Sequence, residues 1–168
     1  VRNGLSAARL IRLRAPLSTG ARLSKTGAEF SVDMLLKDGN PDRRRVLIVD
    51  DEPVLRSLLV EIVQDLGFLT LDAGGGPEAL QVLQSLLPID LLITDVMMPV
   101  MNGRQLAVAA RRLRPGLEVL FITGYVDETI RDGGLLDAGM RLLKKPFTQA
   151  ALAAKISAAM KEREALLF

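Results

Sequence analysis

Three consecutive acids, Asp50, Asp51 and Glu52, follow an aliphatic run in the stretch VLIVDDEP. Carboxylates set side by side at the end of a core strand repel one another and lose hydration, so they require a positive partner. Further along, DLLITD ends in Asp95, EVLFIT in Thr123 and MRLLKK in Lys145. If these ends meet, three carboxylates, a hydroxyl and an ammonium share one place. One lysine does not offset three carboxylates, and a further cation is implied. Oxygen donors with no His or Cys suit Mg²⁺, with Mn²⁺ as the alternative. Such an ion beside an aspartate, flanked by Lys and Thr, can neutralise a phosphoryl group in transfer. The aspartate itself can be the nucleophile and become an aspartyl phosphate.

Bringing these side chains together requires the apolar runs to lie in parallel. The segments VLIVD, LTLDA, DLLITD, EVLFIT and MRLLKK read as strands. Between and after them come amphipathic stretches at 53–66, 77–87, 103–113, 126–132 and 148–163. The first carries Leu55, Leu58, Leu59, Ile62, Val63 and Leu66 at helical spacing. Five strands alternating with five helices predict an α/β fold, a doubly wound five-stranded parallel sheet with helices on both faces. Its connections should be right-handed. In such a sheet the carboxyl ends of the strands open onto one edge, and ligands bind there. Only LTLDA contributes nothing evident to that edge.

Composition narrows the chemistry. The absence of cysteine removes disulfides and thiolate metal sites and fits a reducing compartment. The absence of histidine excludes a Ser-His-Asp triad, His-based zinc sites and any phosphohistidine on this chain. No run approaches the roughly 20 apolar residues of a membrane span. The net charge of +2 hides an asymmetry: residues 1–45 carry ten Lys or Arg against four acids, the remainder twelve against sixteen. The basic balance therefore belongs to the leader and is poor support for nucleic-acid binding.

The sequence divides into a basic N-terminal extension, 1–44, and a folded domain, 45–168. The extension is rich in Arg, Ser and Ala, as in a targeting peptide or a basic surface helix. It offers little apolar surface for ordering, so a flexible extension is expected, or translated sequence upstream of a start at Met34.

The stretches VLIVDDEP, DLLITDVMMPVMNG, VLFITGY and LLKKPF, in this order and spacing, resemble the receiver domain of bacterial two-component response regulators. The likeness runs from about Arg45 to Met160, and its wording is most like hybrid-kinase-type or stand-alone receivers with an F-x-T-G-Y stretch. The resemblance implies a flavodoxin-like fold with strand order 2-1-3-4-5. By it, Asp95 is the phosphoacceptor, and Asp50, Asp51 and Asp95 hold Mg²⁺ with the backbone carbonyl of Met97. Thr123 and Lys145 engage the phosphoryl group, and the Lys145-Pro146 bond is cis. The implied partners are a sensor histidine kinase or phosphotransfer protein as donor and a downstream protein. A homodimer is a further option, while nucleic acid and membrane are not expected. A cytoplasmic chain is implied, with phosphoryl acceptance and autodephosphorylation as its only catalysis. Only EREALLF follows the last helix, so signalling by protein contact, without an output domain, is expected.

Two departures from the family pattern stand out. Many receivers carry an aromatic switch residue three positions before the lysine, where this chain has Leu142; Tyr125 is a candidate replacement. Gly133 and Gly134 interrupt the fourth helix, predicting a short helix and a mobile loop to Met140.

Plainer explanations compete residue by residue. Asp50 and Asp51 could form a strand-end turn, with Asp51 capping the next helix. Asp95 could be a turn acid and Thr123 an ordinary strand residue. Met97, Met98 and Met101 read as packing under a loop, and Gly103 as serving a tight turn. Lys144 should face solvent and Lys145 point inward. GGGPEAL, Gly74 to Leu80, lacks a phosphate-loop spacing and reads as a turn with Pro77 first in the helix. The cluster RRLR, Arg111 to Arg114, reads as a solvated helix end. Against the phosphoacceptor stand a phosphorylation-independent receiver-like scaffold and a Mg²⁺-dependent phosphohydrolase. The intact acid, Thr and Lys set argues against the scaffold. The hydrolase generally needs a second Asp two residues after the nucleophile, where this chain has Met97.

Overall fold

A computed structural model describes residues 43–124 and 140–165. Five strands carry the fold: β1 (Arg45–Val49), β2 (Leu69–Ala73), β3 (Leu91–Asp95), β4 (Glu118–Thr123) and β5 (Met140–Lys144). All pair in parallel in the order β2-β1-β3-β4-β5, as expected. The described helices are α1 (Pro53–Asp65), α2 (Gly76–Gln84), α3 (Gly103–Leu113) and α4 (Gln149–Ala165). The predicted helix at 126–132, its glycines Gly133 and Gly134, and Tyr125 lie outside the described residues. Among the described residues no helix is long and apolar enough to cross a membrane.

The central strands β1, β3 and β4 are buried at nearly every position because both faces are covered, whereas β2 at the edge keeps three half-buried positions. Leu47 and Val49 point into one core with Leu83, Leu92, Leu106, Val119 and Phe121, beneath α2 and α3. Val46 and Ile48 point the other way, into a core with Leu59, Val63, Ile93, Ile122, Leu152 and Ile156, beneath α1 and α4. This period-2 division of a continuous aliphatic run distinguishes a two-sided strand from a half-exposed one. Truncating a fully buried leucine such as Leu106 to alanine typically costs about 2–5 kcal/mol.

Local chemistry sets the helix ends. Pro53 opens α1, and its N-cap is Glu52, with no side-chain cap bond. Asp51 is therefore not a cap, and the plain capping explanation for it fails. Gly76, not Pro77, is the first residue of α2. That helix also stops at Gln84, three residues before the predicted end, because the Ser85 amide and hydroxyl both turn back onto the Val82 carbonyl. The opening of α3 is a reciprocal capping box between Asn102 and Gln105, a device worth about 1 kcal/mol.

Three further sequence expectations need correction. Leu58 and Leu66 are exposed, since the apolar arc of α1 is wider than its contact with the sheet. Met97 is 69 % exposed and does not pack, unlike the buried Met98, because its backbone is held by Asp95 while its side chain leaves the loop. RRLR is not merely solvated. Arg114 donates to the carbonyls of Leu83 and Ser85, and Arg111 to that of Leu117, which ties the end of α3 to its surroundings.

Candidate functional site

The strand order reverses between β1 and β3, the point where such sheets open a crevice at their carboxyl edge. Val49 is level with Thr94, so the next residues, Asp50 just past β1 and Asp95 at the end of β3, stand side by side at this edge. Lys145 follows directly on β5, and its amide donates to the Thr123 carbonyl at 2.7 Å. The Lys145-Pro146 bond is cis. Residues far apart in sequence thus arrive at one edge.

The two aspartates are held in the same way. Asp50 Oδ1 accepts from the Glu52 amide at 2.9 Å, and Asp95 Oδ1 accepts from the Met97 amide at 2.9 Å. In each case a carboxylate grips its own backbone two residues on, which fixes its rotamer. Both Oδ2 atoms then face one ammonium: Lys145 Nζ lies 2.6 Å from Asp95 and 3.4 Å from Asp50. Asp50 is almost wholly buried, at 1 % exposure, and Asp95 partly so. Thr123 is buried at the end of β4. Asp51, by contrast, is exposed, and the ion pairs of Lys145 are with Asp50 and Asp95.

The electrostatics are uneven. Burial raises the Asp50 carboxyl above its ordinary value, against the Glu52 amide and the Lys145 charge, and nearby Asp95 adds to the rise. Burial also pulls Lys145 down, but its hydrogen bond to Asp95 and the charges of Asp50 and Asp95 outweigh this and hold the ammonium above its usual 10.5. The pair therefore looks favourable from the lysine and costly from Asp50. The two views agree once Asp50's near-complete loss of hydration is counted. A second cation here would relieve that cost.

Among the described residues no three acidic side chains close around one point. Lys145 gathers two of the three predicted carboxylates, and Asp51 stays outward. Mg²⁺ is usually bound by one or two carboxylates with waters and phosphate oxygens, rather than by a protein cage. The set here is all oxygen, holds an excess of negative charge and includes an outward carboxylate, so it fits that ion.

The loop after Asp95 is tightly built. The Val96 amide donates to Ile122, Gly103 to Val96, and Met101 to Pro99 across a three-residue turn. Val100 at the centre of that turn has φ 66°, a strained conformation for a β-branched residue, costing about 1–3 kcal/mol. Gly103 serves space rather than turn geometry: a Cβ there would overlap the Asp95 carbonyl oxygen. Any side chain at 103 must displace the backbone that carries Asp95.

Leu142, the switch candidate, is half-buried and packs against the core beneath α2 and α3. Lys144 is exposed, as expected, and Lys145 points inward. The sequence reading missed Arg56 and Asp72. Arg56 Nε donates to Asp72 Oδ2 at 3.0 Å and Nη1 to the Asp50 carbonyl at 2.6 Å. β2 therefore does contribute to this edge, one residue before its end.

Comparison with known proteins agrees with this architecture. The response regulator receiver domain family matches residues 46–157. The response regulator receiver protein CpdR of Brucella abortus (strain 2308) is 32% identical over 104 residues, 62% of this chain and 86% of that protein. The sensor kinase CckA of the same organism is 30% identical over 120 residues, 71% of this chain but only 13% of that much longer protein. The crystal structure of the receiver domain from the hybrid histidine kinase CckA superposes with TM-score 0.60 at 32% identity, covering 69% of this chain and 98% of that one. The match over two thirds of the sequence, the strand order and the shared fold lead to one conclusion: the chain belongs to the response regulator receiver domain family of two-component signalling.

Proposed function

We propose that the chain is a phosphoacceptor switch, in which Asp95 takes a phosphoryl group from a sensor histidine kinase or phosphotransfer protein. The modified domain then signals through contacts with a downstream protein, in a cytoplasmic setting. One observation supports this above the others: Lys145 Nζ sits 2.6 Å from Asp95 Oδ2 at the crevice where the strand order reverses. A lone buried ion pair needs no such address.

In the transfer, a carboxylate oxygen of Asp95 attacks phosphorus while the bond to the donor's imidazole nitrogen breaks. The released nitrogen regains its proton from solvent. Negative charge spreads over the three equatorial oxygens. Lys145 passes its hydrogen bond from the carboxylate to one of them, and the Thr123 hydroxyl serves another. Asp50, Asp51, Asp95 and the Met97 carbonyl would hold Mg²⁺, which supplies charge neutralisation on the phosphoryl group when bound. Later attack of water on phosphorus breaks its bond to the Asp95 oxygen and releases inorganic phosphate, so the chain is a self-resetting switch rather than a turnover enzyme. Phosphorylation signals only by favouring one of two arrangements the domain already samples.

Beryllofluoride, a phosphoryl mimic, tests the reading. With Mg²⁺ present, the protein is expected to show a bound fluorine resonance that chelation of the metal removes. A protein with no such resonance at any Mg²⁺ concentration would falsify the switch.

A further inference from the structure

The acid pair after β1 is positioned unequally. Asp50 has both carboxylate oxygens engaged, one by the Glu52 amide and one facing Lys145. Asp51 is exposed, and its direction depends on the peptide that joins it to Asp50. The oxygen of that peptide is the Asp50 carbonyl. Arg56 Nη1 donates to it at 2.6 Å, and on the other side of the same residue the Asp50 amide donates to the Ala73 carbonyl at 3.3 Å.

Arg56 is itself held at two ends. Its backbone belongs to α1, and its Nε donates to Asp72 Oδ2 at 3.0 Å on β2, with only 15 % of the side chain exposed. A planar guanidinium can make these two bonds along one fork; a lysine presents a single nitrogen and cannot span them. The location is otherwise unfavourable. Arg56 lies in the first turn of α1, where a cation opposes the helix dipole, and that turn has no acid to offset it. The Arg56–Asp72 pair is part-exposed, and a pair of that kind alone is worth about 0–1 kcal/mol, too little to explain a cation held there.

We propose that Arg56, oriented by Asp72, is a positioning residue for the Asp50–Asp51 acid pair. It locks the peptide between them so that the Asp51 carboxylate is already turned outward to receive a divalent cation. The proposal rests on the reading of this edge as a Mg²⁺-dependent phosphoryl acceptor. It adds a residue that touches neither metal nor phosphoryl group, and it gives β2 a part in the site.

The test is Mg²⁺ titration of the full chain, followed by amide resonances, for wild type, Arg56→Ala, Arg56→Lys, Asp72→Asn and Val63→Ala. The last loosens α1 away from the pocket and controls for general destabilisation. Arg56→Ala should bind Mg²⁺ about tenfold more weakly, the usual cost of losing an outer-shell partner. Its Asp51 and Glu52 amides should also shift in the metal-free state. Arg56→Lys should fall between it and wild type. Asp72→Asn, whose amide oxygen still accepts from Nε, should stay near wild type, and Val63→Ala should lose melting temperature but not Mg²⁺ affinity. Wild-type affinity in both Arg56 variants overturns the proposal, as does equal weakening in Val63→Ala. A wild type that binds no Mg²⁺ overturns the phosphoacceptor reading and this proposal with it, so the two failures are distinguishable.

Discussion

Asp95→Asn is expected to accept no phosphoryl group from a small-molecule donor while staying folded. The asparagine oxygen can keep the bond from the Met97 amide that holds the rotamer in the native protein. Its amide nitrogen, however, is no nucleophile toward phosphorus and meets the Lys145 ammonium as donor against donor. Chemistry is lost while packing survives, because the loop is closed by backbone bonds from Val96, Met101 and Gly103. The measurement is phosphoryl incorporation against time, with the amide spectrum as the check on folding. Incorporation in Asp95→Asn at the wild-type rate would move the nucleophile elsewhere.

Lys145→Met should be the second severe loss, with two separable signatures. Phosphoryl acceptance should slow by about a hundredfold, the usual cost of removing one preorganised electrostatic contact to a transferring group. The second signature is in stability. Asp50 and Asp95 would lose the cation that both face, one of them at 1 % exposure, and the cost should be about 1–3 kcal/mol. It falls below that of a fully buried pair because Lys145 is 23 % exposed.

The pH dependence follows from the directions of the shifts. Lys145 is raised above 10.5 in the folded protein, so its stabilisation is complete below that value and is lost only as pH climbs through the folded one. Asp50 is raised above 3.8, so folding favours its neutral form, and stability falls as pH rises through the raised value. Without Lys145 that value rises further. As pH rises above the ordinary carboxylate value, the melting temperature of Lys145→Met should therefore fall relative to that of wild type. Parallel profiles for the two proteins would contradict the ion-pair assignment.

The sheet and the acid edge were legible because each rests on a local signal. An aliphatic run such as VLIV admits no exposed face, and its alternate residues do enter two separate cores. Asp50, Asp95 and Lys145 each end such a run, so parallel pairing alone brings them together. Arg56 was legible in principle. It precedes Leu59 and Val63 by three and seven residues, on the buried stripe of α1, and a cation there calls for an acid. The strong apolar spacing of α1 masks it, and in LTLDA the residue that reaches this edge is Asp72, not the last one. Other features have no sequence signal of their own. The positive φ of Val100 and the contact between Gly103 and the Asp95 backbone arise from how the loop folds back after β3. The bond from Arg56 to the Asp50 carbonyl, beside Asp51, likewise depends on a helix residue meeting the strand end, not on its neighbours' types.

The most direct measurement is peptide mapping of the protein after reaction with a phosphoryl donor and Mg²⁺, with the acyl phosphate reduced before digestion by tritiated borohydride, which releases phosphate and leaves labelled homoserine. The label should fall on the peptide containing Asp95, and omission of Mg²⁺ should abolish it. A label on another residue, or none at all from a folded protein given both donor and metal, would contradict the account.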